Sequence, residues 1–312
     1  MKPHMIWFRT LIYGLLVVLL SNCGTEVIDR NNEGKRARLT PRAHFSGIKK
    51  KAALLMFANE SPVGGDDLAF VATEELKLEL MRTGEFIIDP QASKIFGDSK
   101  EIYSGGGSKL IQLARKAKIS GINMVMFGRI IEARVREKTD EIGIVKETKS
   151  YSEAKIELRI FDVNSSKEVF NEEVRGYADD STFRFFAQDR ETQLTYRREL
   201  LRYSTKVAVR RFIPKIAELS SRMDWVGRVA RIIGNKIYIN AGRDSGIQIS
   251  DVLKVVTEGQ EIFDPETGAL IGISKGEIKG TIEVIDYFGP DGAIAILHSG
   301  GSVVEGDFVQ LY

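Results

Sequence analysis

Cysteine and histidine, the residues that most often carry nucleophilic or metal chemistry, are scarce in this sequence. Cys23 is the one cysteine among 312 residues, so the chain cannot form an intrachain disulfide or a zinc site built from cysteine pairs. Of the three histidines, only His298 lies in a segment predicted to fold. A single histidine cannot supply the pair that would bind a metal or activate a nucleophile. We expect no metal site and no cofactor.

Two other patterns invite a chemical interpretation. The stretch "SGGGSKL" at 104–110 resembles a phosphate-binding loop, but Leu110 stands where that motif needs Ser or Thr to reach magnesium. Such a stretch can bind an anion weakly where a helix begins, and a flexible loop is the favoured interpretation. The pairs Asp66–Asp67 and Asp179–Asp180 are adjacent in sequence, which suits helix caps and turns better than a separated acid/base pair. We therefore expect that the protein is not an enzyme.

The residues before Cys23 are typical of a secretory leader. A short basic end is followed by ten apolar residues, 11–20, which are too few to cross the roughly 30 Å hydrocarbon layer as a stable helix. Leu20-Ser21-Asn22-Cys23 resembles the lipobox of bacterial lipoproteins, although Asn22 is larger than the residue usual there. The resemblance implies removal of residues 1–22 and acylation of Cys23. An ordinary buried thiol is the alternative.

The position after the cysteine and the following segment indicate where the protein would lie. By resemblance to enterobacterial sorting, Gly24 in place of Asp favours the outer membrane, with the protein facing the periplasm. Residues 23–47 are rich in Lys and Arg and lack an apolar period, which predicts a flexible basic tether. The tether is either a solvated linker or a contact for anionic headgroups or glycan.

Residues 48–222 alternate between strand and helix patterns. A buried strand is predicted at Lys50–Phe57, followed by a helix with apolar residues every fourth position that Asp66 or Asp67 could cap and Gly84 would end. The segments "EFIIDP" and "INMVMFGRI" predict two more strands. Beyond them the period changes to two, which indicates antiparallel strands with one wet face. This pattern predicts an α/β sheet domain covered by helices.

A basic helix is predicted at about 190–219. Leu194, Leu201, Ala208 and Phe212 keep helical spacing, and Pro214 should bend or end the helix near Ile213. The favoured interpretation is a helix packed on the sheet with a solvated arginine face. The alternative is a face that binds an acidic protein, a membrane or a cell-wall polymer. The candidate residues for that face are Arg197, Arg198, Arg202, Arg210 and Arg211.

Residues 225–312 contain short strands separated by glycine turns. "GRVARIIGNKIYINAG" predicts a hairpin whose turn is Gly234-Asn235, a pair that tolerates positive φ. Several further short strands follow without a helical apolar period, so a small all-β barrel is predicted. The fold class expected for the whole chain is α+β, with an α/β sheet domain followed by this barrel.

Both parts resemble known families. Residues 48–220 resemble the curli-secretion lipoprotein family (CsgG-like), which is similar to the N-terminal domain of TolB, the middle domain of the flagellar protein FlgT and the synthase activator LpoB. The segments that carry this resemblance are "AALLMFANES", "ELMRTGEFIIDP", "MFGRIIEARV", "AKIELRIFDVNSSKEVF" and "FRFFAQDR". Residues 225–312 resemble the C-terminal domain of FlgT through "INAGRDSGIQISDVLKV", "DPETG" and "GDFVQL".

The resemblance implies an assembly role in the cell envelope. The favoured function is a ring-forming structural or assembly subunit of a flagellar ring or secretion apparatus, with protein partners and other copies of itself. A secretion channel like the curli pore is an alternative, but the hairpin at 135–155 carries charges on both faces, unlike a lipid-facing strand. A regulator of a peptidoglycan synthase like LpoB is another. The net charge of +2 gives no indication of nucleic-acid binding, and no small-molecule substrate is expected.

Overall fold

The computed structural model describes residues 47–142, 145–179, 190–268 and 270–312. Cys23, the leader and residues 24–46 of the basic tether lie outside the described residues, as do Asp180 and most of "FRFFAQDR". Among the helices in the described part of the chain, none is long and apolar enough to cross a membrane.

The first part of the chain forms a six-stranded mixed sheet. Its strands run in the order β3-β1-β4-β5-β6, with β2 beside β4; β1, β2, β3 and β4 pair in parallel, and β5 and β6 are antiparallel. The elements are β1 Lys50–Leu54, β2 Ala58–Asn59, α1 Gly65–Thr83, β3 Phe86–Ile88, α2 Ala92–Phe96, α3 Ser99–Ile119, β4 Met124–Ile142, β5 Val145–Asp162 and β6 Lys167–Asp179. The strand predicted at Lys50–Phe57 is shorter than expected and ends at Leu54.

Helices cover both faces of the sheet, because successive side chains from Ala52 to Leu55 point to opposite faces and both sets are apolar. Ala52 and Leu54 join a core with α1, whereas Ala53 and Leu55 join a second core with α2 and α3. Two further helices, α4 Arg190–Arg210 and α5 Ile213–Arg222, complete the first core. Pro214 lies in the first turn of α5, so the basic helix is interrupted where the sequence predicts, because proline suits a helix start.

Two local predictions are wrong. Neither Asp66 nor Asp67 caps α1, because Gly64 occupies the cap position with a φ of 79°. Both aspartates lie instead in the first turn, where their negative charges interact favourably with the positive end of the helix dipole. Residues 104–108, predicted as a loop, lie inside α3. Asp98 starts that helix by accepting a hydrogen bond from the Glu101 N–H, so the helix contains its glycines, each costing about 1 kcal/mol relative to alanine.

The C-terminal part is a closed six-stranded barrel, as predicted. The barrel order is β12-β13-β8-β7-β14-β9, and β10 pairs only with β11 as a separate hairpin. Gly234 takes a φ of 62° in the turn between β7 and β8. The strands are β7 Val226–Ile233, β8 Lys236–Ile239, β9 Val252–Val256, β10 Glu261–Phe263, β11 Leu270–Ile273, β12 Ile278–Phe288, β13 Gly292–Gly300 and β14 Phe308–Leu311.

Candidate functional site

The basic helix α4 packs closely on the outer strands of the sheet. Leu201, Ala208 and Phe212 are buried in the first core, as the helical spacing predicts. A side chain at Gly176 of β6 would overlap the backbone carbonyl of Ser204 and the amide of Ala208. Glycine is therefore required at this point of β6, because the helix backbone lies directly against the strand.

Leu194, predicted on the same stripe, is instead 66% exposed. The Ser152 hydroxyl donates to the Leu200 carbonyl at 2.7 Å, one residue from the last β5–β6 pair at Tyr151. The helix residues before Leu200 therefore extend past the end of β6.

Four of the five candidate arginines contact neighbouring elements, and three of these four reach α1 or the edge strand β6. The Arg210 guanidinium lies 2.6 Å from the Glu75 carboxylate and 3.5 Å from that of Glu79, both on α1 and both buried. Arg202 lies 3.9 Å from Asp67 on α1. Arg211 donates to the Arg175 carbonyl of β6 at 2.7 Å. These arginines therefore hold α4 against α1 and the sheet edge.

The other two candidates point away from the core. Arg197 lies 3.7 Å from the Glu137 carboxylate of β4, and both side chains are about half exposed, so solvent screens this pair strongly. Arg198 is exposed. With the exposed Leu194 beside them, Arg197 and Arg198 form the part of the predicted basic face that is open to a partner.

A polar junction joins the sheet to the barrel. Lys51 on β1 donates to the Asn240 carbonyl at 2.5 Å and lies 3.1 Å from the Asp291 carboxylate, between β12 and β13. Asp291 also accepts hydrogen bonds from the Ser245 N–H at 2.8 Å and the Gly242 N–H at 2.9 Å. The Asp291 carboxylate therefore fixes a loop of the barrel and also forms an ion pair with Lys51 of β1.

The electrostatics of Asp291 follow from these contacts. Burial by itself would raise the pKa of its carboxyl group, but the hydrogen bonds from Ser245 and the charge of Lys51 outweigh burial and hold the pKa below its usual value. The junction therefore contains a stable ion pair at neutral pH.

A second set of contacts continues the junction beyond β1. The Asn123 side-chain amide donates to the Val226 carbonyl at 2.7 Å, and Arg228 donates to the Lys118 carbonyl at 3.3 Å. Between them lies a small cleft, which Asn164 lines. The Asn164 amide nitrogen is buried there without a hydrogen-bond partner in the protein. It is therefore a donor to which a buried water molecule could bind.

The predicted wet face of the β4–β5 pair carries a network of ion pairs. Arg129 binds Glu157 at 2.6 Å and stacks on the Tyr103 ring, with 4.5 Å from the guanidinium carbon to the ring centroid. Burial, followed by the negative charge of Glu157, raises the pKa of Tyr103 above its usual value. Glu153 binds both Arg134 and Arg175. These charges are matched within the face and do not form a patch of one sign.

The remaining chemical candidates are not brought together. Lys109, which follows the glycine-rich stretch, lies 2.9 Å from Glu101 of the same helix. His298 lies 3.6 Å from the Glu283 carboxylate and is half exposed. Within the described residues, no group of three or more His, Cys, Asp or Glu side chains is placed to hold a metal ion.

Sequence reasoning missed the junction residues Lys51 and Asp291. Lys51 follows Lys50 at the start of β1, ahead of apolar residues, and a charged residue in a buried strand is a signal that a partner must be present. Asp291 lies in the "GPDGA" segment, where a glycine-rich turn explains an aspartate equally well. No pattern in the sequence connects the two residues.

No protein-family model matches this chain, and no curated protein matches it in sequence. Several solved structures are similar at low sequence identity. The hypothetical protein CT253 from Chlamydia trachomatis is 13% identical, with 55% of this chain and 96% of that chain covered and a TM-score of 0.36. Lipoprotein GNA1162 from Neisseria meningitidis is 11% identical, with coverages of 54% and 99% and a TM-score of 0.27.

The C-terminal domain of LpoB from Salmonella enterica is 14% identical, with 41% of this chain and 83% of that chain covered and a TM-score of 0.26. Some of these neighbours are bacterial lipoproteins by name. Because the TM-scores are below 0.5, the similarities do not identify the family or the function of this chain. The resemblances to the curli-secretion and FlgT families remain predictions.

Proposed function

We propose that this protein is an outer-membrane lipoprotein facing the periplasm that acts as a ring-forming structural or assembly subunit of an envelope machine, such as a flagellar ring or a secretion apparatus. The observation that carries the proposal is the polar junction at Lys51 and Asp291, which fixes the barrel to the helix-covered sheet. A rigid body of this kind can hold two binding surfaces in a constant geometry, as an assembly subunit requires. The proposed role includes no catalysis.

In this mechanism the acyl chains on Cys23 anchor the protein and the basic tether gives it reach. A single acyl chain binds a membrane only marginally, so the several chains of a mature lipoprotein matter. The sheet part associates with other copies, and the barrel binds a partner of the machine. The partner is a protein, not a nucleic acid or a small molecule.

Arg197 and Arg198 provide a second contact in this proposal. The Arg197 pair with Glu137 is half exposed on both sides and Arg198 is exposed, and Leu194 beside them adds exposed apolar surface. A protein surface with carboxylates around an apolar residue would complement them.

Replacing the cysteine tests the anchor. We expect Cys23→Ser to move the protein from the outer-membrane fraction to the soluble periplasmic fraction, because no thiol remains to carry lipid. Intact-mass measurement of the wild type should find residues 1–22 absent and acyl chains on Cys23. Full-length wild-type protein with an uncleaved leader and no lipid would contradict the anchor.

The assembly is tested separately on native protein extracted in detergent. Light scattering should give a mass of several copies, and negatively stained particles should show rings with a regular subunit number. A stable monomer at micromolar concentration would contradict the ring.

One observation favours the alternative of a secretion channel. The β4–β5 ladder is 18 residue pairs long and ends at Ile142 and Val145, whereas about ten residues per strand suffice to cross a membrane as part of a barrel. The charged residues of this hairpin argue against lipid contact. Ion conductance across liposomes containing the purified protein would support the channel, and intact liposomes would exclude it.

A further inference from the structure

Helix α1 has a row of exposed apolar side chains on its outer side. Phe70 and Leu78 are 55% and 48% exposed, although the opposite side of the helix is buried in the first core. They are eight residues apart, which is about 12 Å along the helix, and Glu74 lies midway between them. Residues four apart are neighbours on a helix surface. The row therefore places a carboxylate between two apolar side chains.

Helix α3 has the same arrangement with the opposite charge. Ile111 and Ile119 are 43% and 72% exposed and are also eight residues apart. Arg115 lies midway between them, so a cation takes the place that the carboxylate has on α1. The α1 row and the α3 row are therefore equal in length and complementary in charge.

The central charge of each row has an exposed partner within its own chain. Glu74 lies 3.3 Å from Lys77, and these side chains are 38% and 41% exposed. Arg115 lies 3.6 Å from Glu261 of β10, with exposed fractions of 68% and 38%. Exposed pairs of this kind contribute only about 0–1 kcal/mol. Both charges can therefore exchange these partners for a stronger one at small cost.

The two rows face away from opposite sides of the sheet. α1 packs on the side that includes Ala52 and Leu54, whereas α3 packs on the side that includes Ala53 and Leu55. When two copies join through unlike surfaces, each copy keeps one unused surface, so the association closes as a ring or continues as a filament. A contact between an α1 row and an α3 row is of this head-to-tail kind.

We propose that the α1 row of one copy packs against the α3 row of the next copy, with Glu74 paired to Arg115. Because each row has its charge at the centre, the apolar residues of the two rows meet whether the helices run parallel or antiparallel. The central ion pair fixes the register of the contact, and the apolar residues on either side of it exclude water. The inference deepens the proposed assembly role and rests on it for the presence of more than one copy.

The first test reverses the two central charges in full-length, detergent-extracted protein. Glu74→Lys and Arg115→Glu should each raise the concentration of half-assembly, measured by light scattering over a dilution series, by about tenfold or more, because like charges would then meet. The double variant should return that concentration to within about threefold of the wild type, because opposite charges meet again at every contact. Glu305→Lys, which removes an exposed pair with Arg231 on the barrel, is the control and should assemble like the wild type.

A second test establishes that the contact is head-to-tail. Leu78→Asp disables the α1 row and Ile119→Asp disables the α3 row, and both positions are exposed. Each variant alone should stay monomeric where the wild type assembles. An equal mixture should form dimers and nothing larger, because the intact α3 row of one variant meets the intact α1 row of the other and no intact row remains. A mixture that stays monomeric would contradict the contact.

Each outcome of the charge reversal decides the inference. If the wild type assembles and both single variants assemble equally well, the two rows are not the contact and the proposed assembly role still stands. If both single variants are weakened and the double variant is not restored, the rows bind another protein and their pairing with each other is wrong. A wild type that stays monomeric would overturn both the pairing and the multi-copy role.

Discussion

At the scale of single residues, glycine and arginine decide how the basic helix is used. Gly176 lets the α4 backbone lie against β6, and Arg202, Arg210 and Arg211 then reach α1 and the sheet edge. The arginine-rich sequence predicts a face of one sign, but four of its five cations have partners within the fold, and the Arg197 pair with Glu137 is half exposed. What remains for an external partner is the smaller surface at Arg197 and Arg198.

Gly176→Ala should destabilise the protein by about 1–3 kcal/mol, because the new methyl group would overlap helix backbone that cannot move aside as a side chain can. Thermal unfolding followed by circular dichroism measures the change. Gly301→Ala is the matched control, since the nearest atom to its methyl group would be the Lys279 carbonyl oxygen at 3.7 Å. Equal stability of the two variants would show that α4 does not lie against β6 as described.

At the scale of elements, α1 and α4 are joined by charge as well as by apolar packing. Glu75 and Glu79 are buried on α1, and Arg210 contacts both. A buried carboxylate without a partner is costly, and Arg210 gives Glu75 a partner at 2.6 Å, whereas Glu79 also pairs with Arg82 of α1 at 2.7 Å. The ends of the elements also follow local chemistry: Asp98 starts α3, and Gly84 ends α1 in the left-handed conformation.

Two arginines of α4 offer a matched comparison. Arg210→Met should lower the free energy of unfolding by about 1–2 kcal/mol, a loss limited by screening because Arg210 is itself partly exposed. Arg198→Met should change it by less than about 0.5 kcal/mol. Urea unfolding of both variants measures the difference. If Arg198→Met were the more damaging substitution, the division of the basic face into structural and open parts would be incorrect.

At the scale of the whole molecule, the described residues form one compact unit. The sheet and the barrel have separate apolar cores, and polar contacts from β1, α3 and the start of β4 connect them. Polar contacts with fixed directions specify orientation more narrowly than apolar contact does. The proposed assembly role depends on this constant orientation.

Asp291→Asn should reduce stability at pH 7 by about 2 kcal/mol, because Lys51 would lose its charged partner. The folded-state pKa of Asp291 is lowered, so its contribution is complete above the unfolded value, near 3.9, and is lost as the pH falls through the lower folded value. The difference between wild type and variant should therefore shrink below about pH 4. Glu266→Gln, at an exposed position, should show no such pH-dependent difference in thermal unfolding, and a difference for Asp291→Asn that does not shrink at all as the pH falls below about 4 would contradict the ion pair.

The sequence by itself determined the order of most helices and strands, the break before Pro214 and the closed barrel, because apolar periods and turn residues act over short distances along the chain. It did not determine the helical state of residues 104–108, where the cap at Asp98 and the flanking helix-forming residues prevail over three glycines. Only the tertiary structure brought Lys51 to Asp291 and Arg210 to Glu75, since these partners are far apart in sequence and no local pattern links them. It also separated the open arginines from the engaged ones, because burial and pairing depend on what the rest of the fold covers.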